Sequence, residues 1–335
     1  LAALEQLLRY YHDDIERLRA TGVEITFYEL MTVLAVSYFA SKNTQVVVLE
    51  TGLGGRLDAT NVLETSVCGI TPIGFDHMNI LGQTLARIAG EKAGIIRDPL
   101  QRVVLAAQPA EAMAVLQQRC AAFAIRPTVV GDDLPCRVRE VAAQGVTFDV
   151  HGRRPYEGLF SPITGAHQAE NAALAIGMAE DLEMFGFVLT EEAVRQGIRS
   201  TVWPARFERV AVSPDIIVDC AHTAESARAL AGTFCSAYPG RKAVVVLGMS
   251  LDKDPVAVLR ELLPLTQAVV LTKADNPRAA DLSSFGLKSV LPQADVTVVP
   301  HVTDALREAR RMAGERGLVL VTGSVFVCAE ARVLA

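Results

Sequence analysis

The sequence lacks the features expected of membrane-spanning and nucleic-acid-binding proteins. No apolar run approaches the roughly 18 residues that a membrane-spanning helix needs, and the first residues carry neither a basic segment nor a cleavage signal. No dense cluster of lysine and arginine occurs, and the formal net charge is −6. We therefore expect neither a membrane nor a nucleic acid as partner. An anionic ligand would need positive charge or metal ions at the site itself.

Paired cysteine motifs are also missing. The six cysteines include no C-x-x-C pair, so reduced and mostly buried thiols are expected rather than disulfides or a zinc site. This pattern is typical of a cytoplasmic protein. The sequence also lacks an initiator methionine and opens inside a helical pattern, from which we expect it to be incomplete at its start.

The residues that are present indicate an α/β fold. With 335 residues, 50% of them hydrophobic, the chain is long enough for two domains. Apolar residues at helical spacing predict helices over residues 1–19, 28–40, 83–93, 109–124 and 165–185. The second helix is apolar on nearly every side and should be buried against a sheet. β-branched runs predict strands over residues 45–49, 67–73 and 102–106, and alternation predicts antiparallel hairpins over 137–160.

A second α/β unit begins near Arg206. Its predicted strands cover residues 216–219, 243–247, 268–272, 295–299 and 317–322. They alternate with predicted helices near residues 224–237, 254–263, 302–314 and 324–333. This alternation predicts a doubly wound, mainly parallel sheet. Because proline is disfavoured inside helices and strands, we expect a hinge at Trp203-Pro204-Ala205, which separates a domain over residues 1–203 from one over residues 204–335.

A glycine-rich turn follows the first predicted strand. Glu50 stands at the carboxyl end of that strand, where α/β sheets place ligands, and the glycines of residues 52–55 let backbone amides approach a ligand closely. Leu57 holds the place of the third glycine of the fingerprint G-x-G-x-x-G, which disfavours a nicotinamide-dependent dehydrogenase. Taken alone, a glycine-rich turn of this kind more often serves only to reverse the chain than to bind a ligand.

Two further residues near this turn, His77 and Lys92, are candidates for a ligand site. His77 follows the next apolar strand, so Glu50 and His77 would end neighbouring strands at one edge of the sheet and could share a divalent cation. On pattern alone, a hydrogen-bonded structural role for His77 is equally open. Lys92 lies near the end of a predicted helix with Gly94 as its C-cap, where a lysine ordinarily complements the helix dipole.

In combination, these segments resemble a known family. Glu50 through Asn61, Gly74-Phe75-Asp76-His77 with Leu81-Gly82-Gln83-Thr84, and Glu91-Lys92-Ala93-Gly94-Ile95 are similar in order and spacing to the signatures of folylpolyglutamate synthase/dihydrofolate synthase. This is the folate branch of the Mur ligase superfamily. The similarity runs on to Val321-Thr322-Gly323-Ser324 and so covers essentially the whole chain. It implies a P-loop-type central domain and a smaller Rossmann-like C-terminal domain, with ATP bound between them.

The resemblance also implies roles for single residues. Glu50 and His77 match magnesium ligands, and Lys92 matches a lysine whose carbamylation turns an amine into an anionic oxygen ligand. The segments Thr26-Phe27-Tyr28-Glu29 and Arg56-Leu57-Asp58 match those that line the pterin site. The residues that match ATP contacts are Asn171, Arg206, Asp219 and His222, and the expected catalytic residues are Lys92, Arg206 and His222.

Two other segments resemble the family less closely. In Asp219-Cys220-Ala221-His222-Thr223, a cysteine stands where the family usually has glycine. Asp275-Asn276-Pro277-Arg278 resembles a segment near the glutamate side of the cleft, although an ordinary Asn-Pro turn explains it almost equally well.

The implied activity is ATP-dependent ligation of L-glutamate to the carboxylate of a folate or dihydropteroate through an acyl phosphate, by a monomer that uses Mg2+. The motif G-x-x-x-x-G-K-S/T, which the family carries upstream of Glu50, is absent from the sequence, so this chain by itself is expected not to turn over. A peptidoglycan-type Mur ligase and a non-catalytic folate- or nucleotide-binding paralogue are the alternatives. Dihydrofolate synthesis, polyglutamate extension or both are compatible with the sequence.

Overall fold

The computed structural model describes residues 2–285 and 295–334, and the chain divides into two compact units, Leu1–Pro127 and Thr128–Ala335. No helix in this described part combines the length and the apolar character needed to cross a membrane. All six cysteines are free thiols, four of them buried, which confirms the expectation of reduced and mostly buried thiols.

The first unit contains short helices around a pair of parallel strands. Its elements are α1 (Ala2–Tyr10), α2 (His12–Ala20), α3 (Phe27–Ser41), a 3-10 helix (Ala59–Val62), β1 (Val67–Ile70), α4 (Met78–Leu81), α5 (Leu85–Ala93), β2 (Arg102–Leu105) and α6 (Ala110–Ala122). The helix predicted over residues 1–19 is interrupted at Tyr11, and the other predicted helices of this unit are confirmed.

Local sequence explains where the helices of the first unit begin and end. α3 begins with a capping box in which Thr26 and Glu29 each accept a hydrogen bond from the other's backbone amide. Thr84 caps α5 through the amide of Arg87, and Gly94 follows its last residue as the predicted C-cap. β1 and β2 pair in parallel, and the side chains of Ile88, Val103, Leu105 and Leu116 form the buried core between them and α5 and α6.

Two expectations about the start of this unit are wrong. Residues 45–49 form no strand with any described part of the chain, and Val48 is 88% exposed. A β-branched run supplies strand propensity, but a strand also needs a partner for its backbone hydrogen bonds, and none pairs here. α3 is a helix as predicted, yet Leu34 is its only buried residue and Phe27 is 79% exposed, so it is not buried against a sheet.

The second unit is built on a larger sheet. Its strands are β3 (Thr128–Val129), β4 (Cys136–Ala142), β5 (Gly145–His151), β6 (Pro155–Ser161), β7 (Glu208–Ala211), β8 (Asp215–Val218), β9 (Ala243–Leu247), β10 (Thr266–Lys273), β11 (Val296–His301) and β12 (Leu318–Thr322). Its helices are α7 (Ala166–Asp181), α8 (Glu191–Arg199), α9 (Ala224–Ala237), α10 (Pro255–Leu262), α11 (Val302–Ala313) and α12 (Val325–Leu334), with 3-10 helices at Leu182–Phe185, Leu263–Leu265 and Leu282–Phe285.

The described strands of the larger sheet run in the order β11-β10-β9-β12-β8-β7. All neighbours pair in parallel except β7, which is antiparallel to β8. Alternate residues of each strand enter two separate buried clusters, because successive side chains point to opposite faces. α9 and α10 cover one face, and α11 and α12 cover the other, so the doubly wound architecture predicted from the sequence is confirmed.

The predicted hairpins are also present. β4, β5 and β6 form an antiparallel sheet in which Val138 lies opposite Phe148 and Phe148 lies opposite Leu159. Phe148 and Tyr156 are fully buried. α7 packs against this sheet, and its second turn carries Asn171, one of the predicted nucleotide contacts.

Candidate active site

The glycine-rich loop after Glu50 is organised by the carboxylate of Asp58. Its Oδ2 accepts hydrogen bonds from the amides of Gly52 and Leu53, both at 2.9 Å. Its Oδ1 accepts from the amide of Thr60 at 3.0 Å and from the Thr60 hydroxyl at 2.6 Å. Burial would raise the pKa of Asp58, but the hydrogen bonds from Thr60, Leu53 and Gly52 outweigh burial and hold this pKa below its usual range. Asp58 is therefore ionised, and its carboxylate holds the two ends of the loop together.

The closed loop lies on the carboxyl-terminal turn of α5, which carries Lys92. The amide of Arg56 donates to the carbonyl of Glu91 at 2.8 Å, and its guanidinium contacts the Glu91 carboxylate at 3.0 Å. A Cβ at Gly55 would lie 3.0 Å from the carbonyl oxygen of Lys92, so only glycine permits this approach. The loop and the lysine-bearing turn therefore form one packed piece within the first unit.

Asn61 and Gly94 complete this contact. The amide group of Asn61 donates to the carbonyl oxygens of Arg56 at 3.2 Å and Gly94 at 3.1 Å, which ties the loop to the residue after α5. A Cβ at Gly94 would lie 2.3 Å from the Cβ of Arg56. Any larger residue at position 94 would therefore displace the loop.

Glu50 enters this loop from an extended segment and is held through its backbone. Its carbonyl oxygen accepts a hydrogen bond from the hydroxyl of Tyr28 at 2.8 Å. The Glu50 carboxylate is exposed and makes no hydrogen bond or ion pair with the residues that the structure describes. Such a carboxylate is free to ligate a cation. The expectation that Glu50 ends a strand is wrong, because residues 45–49 do not pair.

His77 lies in a strained backbone conformation. It precedes α4 with φ 50° and ψ 35°, the left-handed region that non-glycine residues rarely adopt. Its amide donates to Oδ1 of Asp76 at 2.9 Å, and its Nε2 lies 3.7 Å from Oδ2 of the same carboxylate. Strain of this kind concentrates at functional sites, which agrees with a ligand role for His77.

The donor types available here suit magnesium. Among residues 2–285 and 295–334, no group of three or more His, Cys, Asp and Glu side chains comes together to hold a metal. Magnesium usually keeps several waters and takes one or two protein ligands plus substrate phosphates, so it does not need such a cage. The exposed carboxylate of Glu50 and the half-buried amine of Lys92, once carbamylated, would supply anionic oxygens of the preferred kind. The residues therefore fit the ion through a small number of ligands.

The residues predicted to line the pterin site fall into two groups. The side chains of Thr26 and Glu29 bond to each other at 2.7 Å in the cap of α3, and Asp58 bonds to the loop. In contrast, Phe27 is 79% exposed and Leu57 is 80% exposed. Phe27 and Leu57 therefore present apolar surface to a ligand. Tyr28 is 40% exposed and bonded to the carbonyl oxygen of Glu50, and Arg56 is bonded to Glu91.

In the second unit, Arg206 lies on a segment with unusual backbone geometry. Ala205 and Phe207, on either side of it, have φ values of 56° and 48°. Asp219 holds this segment, since its Oδ2 accepts from the amide of Phe207 and its Oδ1 accepts from the amide of Ala221, both at 2.9 Å. Burial raises the pKa of Asp219, against the opposing hydrogen bonds from Ala221 and Phe207 and the positive charge of Arg206.

His222 and Asn171 both belong to the second unit, and each makes local contacts. Nδ1 of His222 lies 2.8 Å from the carbonyl oxygen of Cys220, just before Thr223 begins the capping box of α9. Asn171 donates to the side chain of Gln168 at 3.1 Å on α7. Gln168 in turn contacts His167 at 3.0 Å. Partial loss of hydration around the ring, and then the positive charge of Arg206, lower the pKa of His167.

Three residues that organise these loops had no role assigned from the sequence. Glu91 pairs with Arg56 across 35 positions, Asn61 bridges the loop and α5, and Ser226 accepts from the amides of His222 and Thr223. Glu91 and Asn61 stand inside the recognised motifs, so their presence was visible. The residues that they contact are distant in sequence, so no local sequence pattern predicts these contacts.

Comparison with known families finds two family models that match successive parts of the chain, with bounds that differ from those of the two compact units. A family model described as the Mur ligase middle domain matches residues 6–179. A second, described as the Mur ligase glutamate ligase domain, matches residues 205–325. The dihydrofolate synthase/folylpolyglutamate synthase of Bacillus subtilis is 34% identical over 316 residues, which cover 92% of this chain and 71% of that protein.

Solved structures give the same result. The Mycobacterium tuberculosis folylpolyglutamate synthase (FPGS) complexed with ADP matches with a TM-score of 0.92 at 31% identity, covering 99% of this chain and 78% of that one. The FPGS–AMPPCP–folate complex matches with a TM-score of 0.80 at 26% identity, covering 99% of this chain and 77% of that one. These two proteins were solved with a nucleotide or with AMPPCP and folate.

Proposed function

The chain belongs to the folylpolyglutamate synthase/dihydrofolate synthase branch of the Mur ligase family, and we propose that Glu50, His77 and Lys92 form its magnesium site. Its activity is ATP-dependent ligation of L-glutamate to the carboxylate of a folate or dihydropteroate. The matched relatives are folate enzymes, which favours this activity over a peptidoglycan-type Mur ligase and over a non-catalytic paralogue.

One observation carries the site assignment. The loop that Glu50 opens packs on the turn of α5 that carries Lys92, through the 2.8 Å hydrogen bond from Arg56 to Glu91 and the close approach at Gly55. Two of the three proposed ligands therefore belong to one packed piece of the first unit, and neither side chain forms an ion pair with the described residues. This arrangement supports a role in ligand binding rather than in stability.

The chemistry explains why such a site is needed. A carboxylate is a poor acyl donor because oxide would have to leave, whereas an acyl phosphate formed from ATP loses phosphate readily. Bound magnesium would offset the charge of the phosphates. Arg206 would bring positive charge to the transferring phosphoryl group, and Asn171, Asp219 and His222 would hold the nucleotide. The amino group of glutamate would then attack the acyl phosphate to form the amide.

We also propose how the folate side is bound. Phe27 and Leu57 expose apolar side chains on the segments Thr26–Glu29 and Arg56–Asp58, and a flat pterin ring would bury such surface. Thr26, Glu29 and Asp58 are engaged in local hydrogen bonds, so they would shape this surface. Arg56 keeps about half of its side chain exposed beside Glu91 and would carry the positive charge of the segment.

The remaining assignments rest on composition and on the family models. We propose residues 1–203 as the central domain and residues 204–335 as the glutamate ligase domain, supported by the model boundaries at 179 and 205. We propose that the enzyme acts in the cytoplasm, supported by its free thiols, and that it acts as a monomer. Its partners would be small molecules.

The magnesium assignment is tested by Glu50→Gln, which keeps the size of the side chain and removes its charge. Ligation is assayed with the chain joined to an upstream segment that carries the motif G-x-x-x-x-G-K-S/T, because the sequence itself lacks this motif. We expect ligation to be lost while far-UV circular dichroism and thermal unfolding stay unchanged, because the Glu50 carboxylate makes no bond with the described residues. Glu64→Gln is the matched control, since Glu64 is also exposed and lies near by in sequence. Near-normal turnover by Glu50→Gln would remove Glu50 from the metal site.

The substrate is tested by glutamate-dependent ADP release from the chain joined to the same upstream segment. Dihydropteroate and tetrahydrofolate are supplied separately, with a UDP-linked muramyl peptide as the third candidate. Stimulation by either folate compound supports the proposal and separates dihydrofolate synthesis from polyglutamate extension. Stimulation by the muramyl peptide alone would contradict it.

A further inference from the structure

Tyr28 lies directly on the backbone that follows Glu50. Its hydroxyl donates to the carbonyl oxygen of Glu50 at 2.8 Å. Its ring covers Gly52 so closely that a Cβ at that position would lie 2.7 Å from the ring atom Cζ. The hydroxyl is the donor in this bond, because a carbonyl oxygen can only accept.

Asp58 holds the same stretch of backbone from the other end. Its Oδ2 accepts from the amides of Gly52 and Leu53 at 2.9 Å, while its Oδ1 is held by Thr60. The carbonyl of residue 50 and the amides of residues 52 and 53 are therefore all fixed by side chains. The backbone on both sides of Thr51 has little freedom to rotate.

We propose that Tyr28 and Asp58 are positioning residues that aim the Glu50 carboxylate for metal binding. The inference rests on the proposed role of Glu50 as a magnesium ligand. It differs from a direct contact between Tyr28 or Asp58 and the pterin, because the polar atoms of both side chains are used on the loop backbone. Removing either bond should loosen Glu50 without removing its charge.

Amide hydrogen exchange of the unliganded chain tests the restraint itself. Asp58→Asn should speed exchange of the Gly52 and Leu53 amides, roughly five-fold for each lost hydrogen bond. Tyr28→Phe should speed exchange of the same amides, although Tyr28 is not their acceptor, because the two restraints act on one loop. Tyr38→Phe, on the same helix, and Asp98→Asn, which accepts from the amide of Leu100 at 2.7 Å, are the matched controls and should leave these amides unchanged.

Metal binding tests the consequence. With Mn2+ as the probe, followed by electron paramagnetic resonance in the presence of nucleotide, Tyr28→Phe and Asp58→Asn should each weaken binding about ten-fold. Unchanged Mn2+ affinity together with weakened folate binding would overturn the inference and assign Tyr28 to the pterin instead.

A third variant separates this inference from the proposed function. If Glu50→Gln leaves Mn2+ affinity unchanged, the assignment of Glu50 as a ligand fails, whatever Tyr28 does. If Glu50→Gln abolishes Mn2+ binding while Tyr28→Phe and Asp58→Asn bind as tightly as the unmodified chain, the ligand assignment stands and the positioning role is refuted.

Discussion

Gly94 offers the sharpest test of how the glycine-rich loop is held on α5. Its φ of −60° suits any residue, so alanine meets no backbone penalty there. The obstacle is steric, because an alanine Cβ would lie 2.3 Å from the Cβ and 2.5 Å from the Cα of Arg56. The second of these is a backbone atom, so the clash cannot be relieved by a side-chain rotation. The loop would have to lift away from the helix.

The expected cost of Gly94→Ala follows from two effects. Overpacking of a tight contact costs about 1–3 kcal/mol. Lifting the loop also breaks the 2.8 Å backbone hydrogen bond from Arg56 to Glu91, worth about 1 kcal/mol. We therefore expect the free energy of unfolding of the first unit to fall by roughly 2–4 kcal/mol.

Gly90→Ala is the matched control. Gly90 lies inside α5 and nothing lies within 4 Å of the position its Cβ would take, so alanine should stabilise the helix by up to about 1 kcal/mol. Urea unfolding should be followed by far-UV circular dichroism, because the only tryptophan, Trp203, belongs to the other unit. Equal midpoints for the two variants would refute the close contact between Gly94 and Arg56.

Two further predictions concern stability. Thr223→Ala should lower the free energy of unfolding of the second unit by about 1 kcal/mol, because Thr223 accepts from the amide of Ser226 at 3.2 Å at the start of α9. Trp203 fluorescence in urea measures this free energy. The control Ser236→Ala, on the same helix, should lower it by less than half as much. The lowered pKa of Asp58 stabilises the fold above the unfolded value near 3.9, and this contribution should be lost as the pH falls below that value through the lower folded pKa. Urea midpoints between about pH 5 and pH 2.5 should therefore fall more steeply for the unmodified chain than for Asp58→Asn. If the midpoints of the two proteins fall in parallel, the ionised carboxylate of Asp58 does not stabilise the fold.

The larger sheet of the second unit was predictable because buried parallel strands leave a strong local signal. β9 and β12 are continuous β-branched and leucine runs, and both were predicted within one residue of their observed bounds. β7 and α8 were not predicted. β7 is a short edge strand that pairs with β8 alone, and α8 has Val194 as its only buried residue, so neither carries a long apolar pattern.

The first unit shows where this signal fails. Residues 45–49 have the composition of a buried strand, yet Val46, Val47 and Val48 are all exposed. The composition of a segment predicts that it forms a strand when a neighbouring strand can pair with it. Composition does not show whether such a strand is present. The same limit applies to the site, where Glu50, His77 and Lys92 were named from motifs but the contacts that orient the loop depend on residues up to 35 positions apart.

The glycines of the motif show that the family signature includes residues needed for close packing of the loop as well as residues proposed to bind ligands. Gly52 admits the ring of Tyr28, Gly55 admits the carbonyl of Lys92, and Gly94 admits the backbone of Arg56. None of these contacts involves the Glu50 carboxylate or the Lys92 amine. The residues that build the loop are therefore separable from those proposed to bind the ion. Replacing a glycine should damage both the fold and the ligation, whereas replacing Glu50 should damage ligation alone.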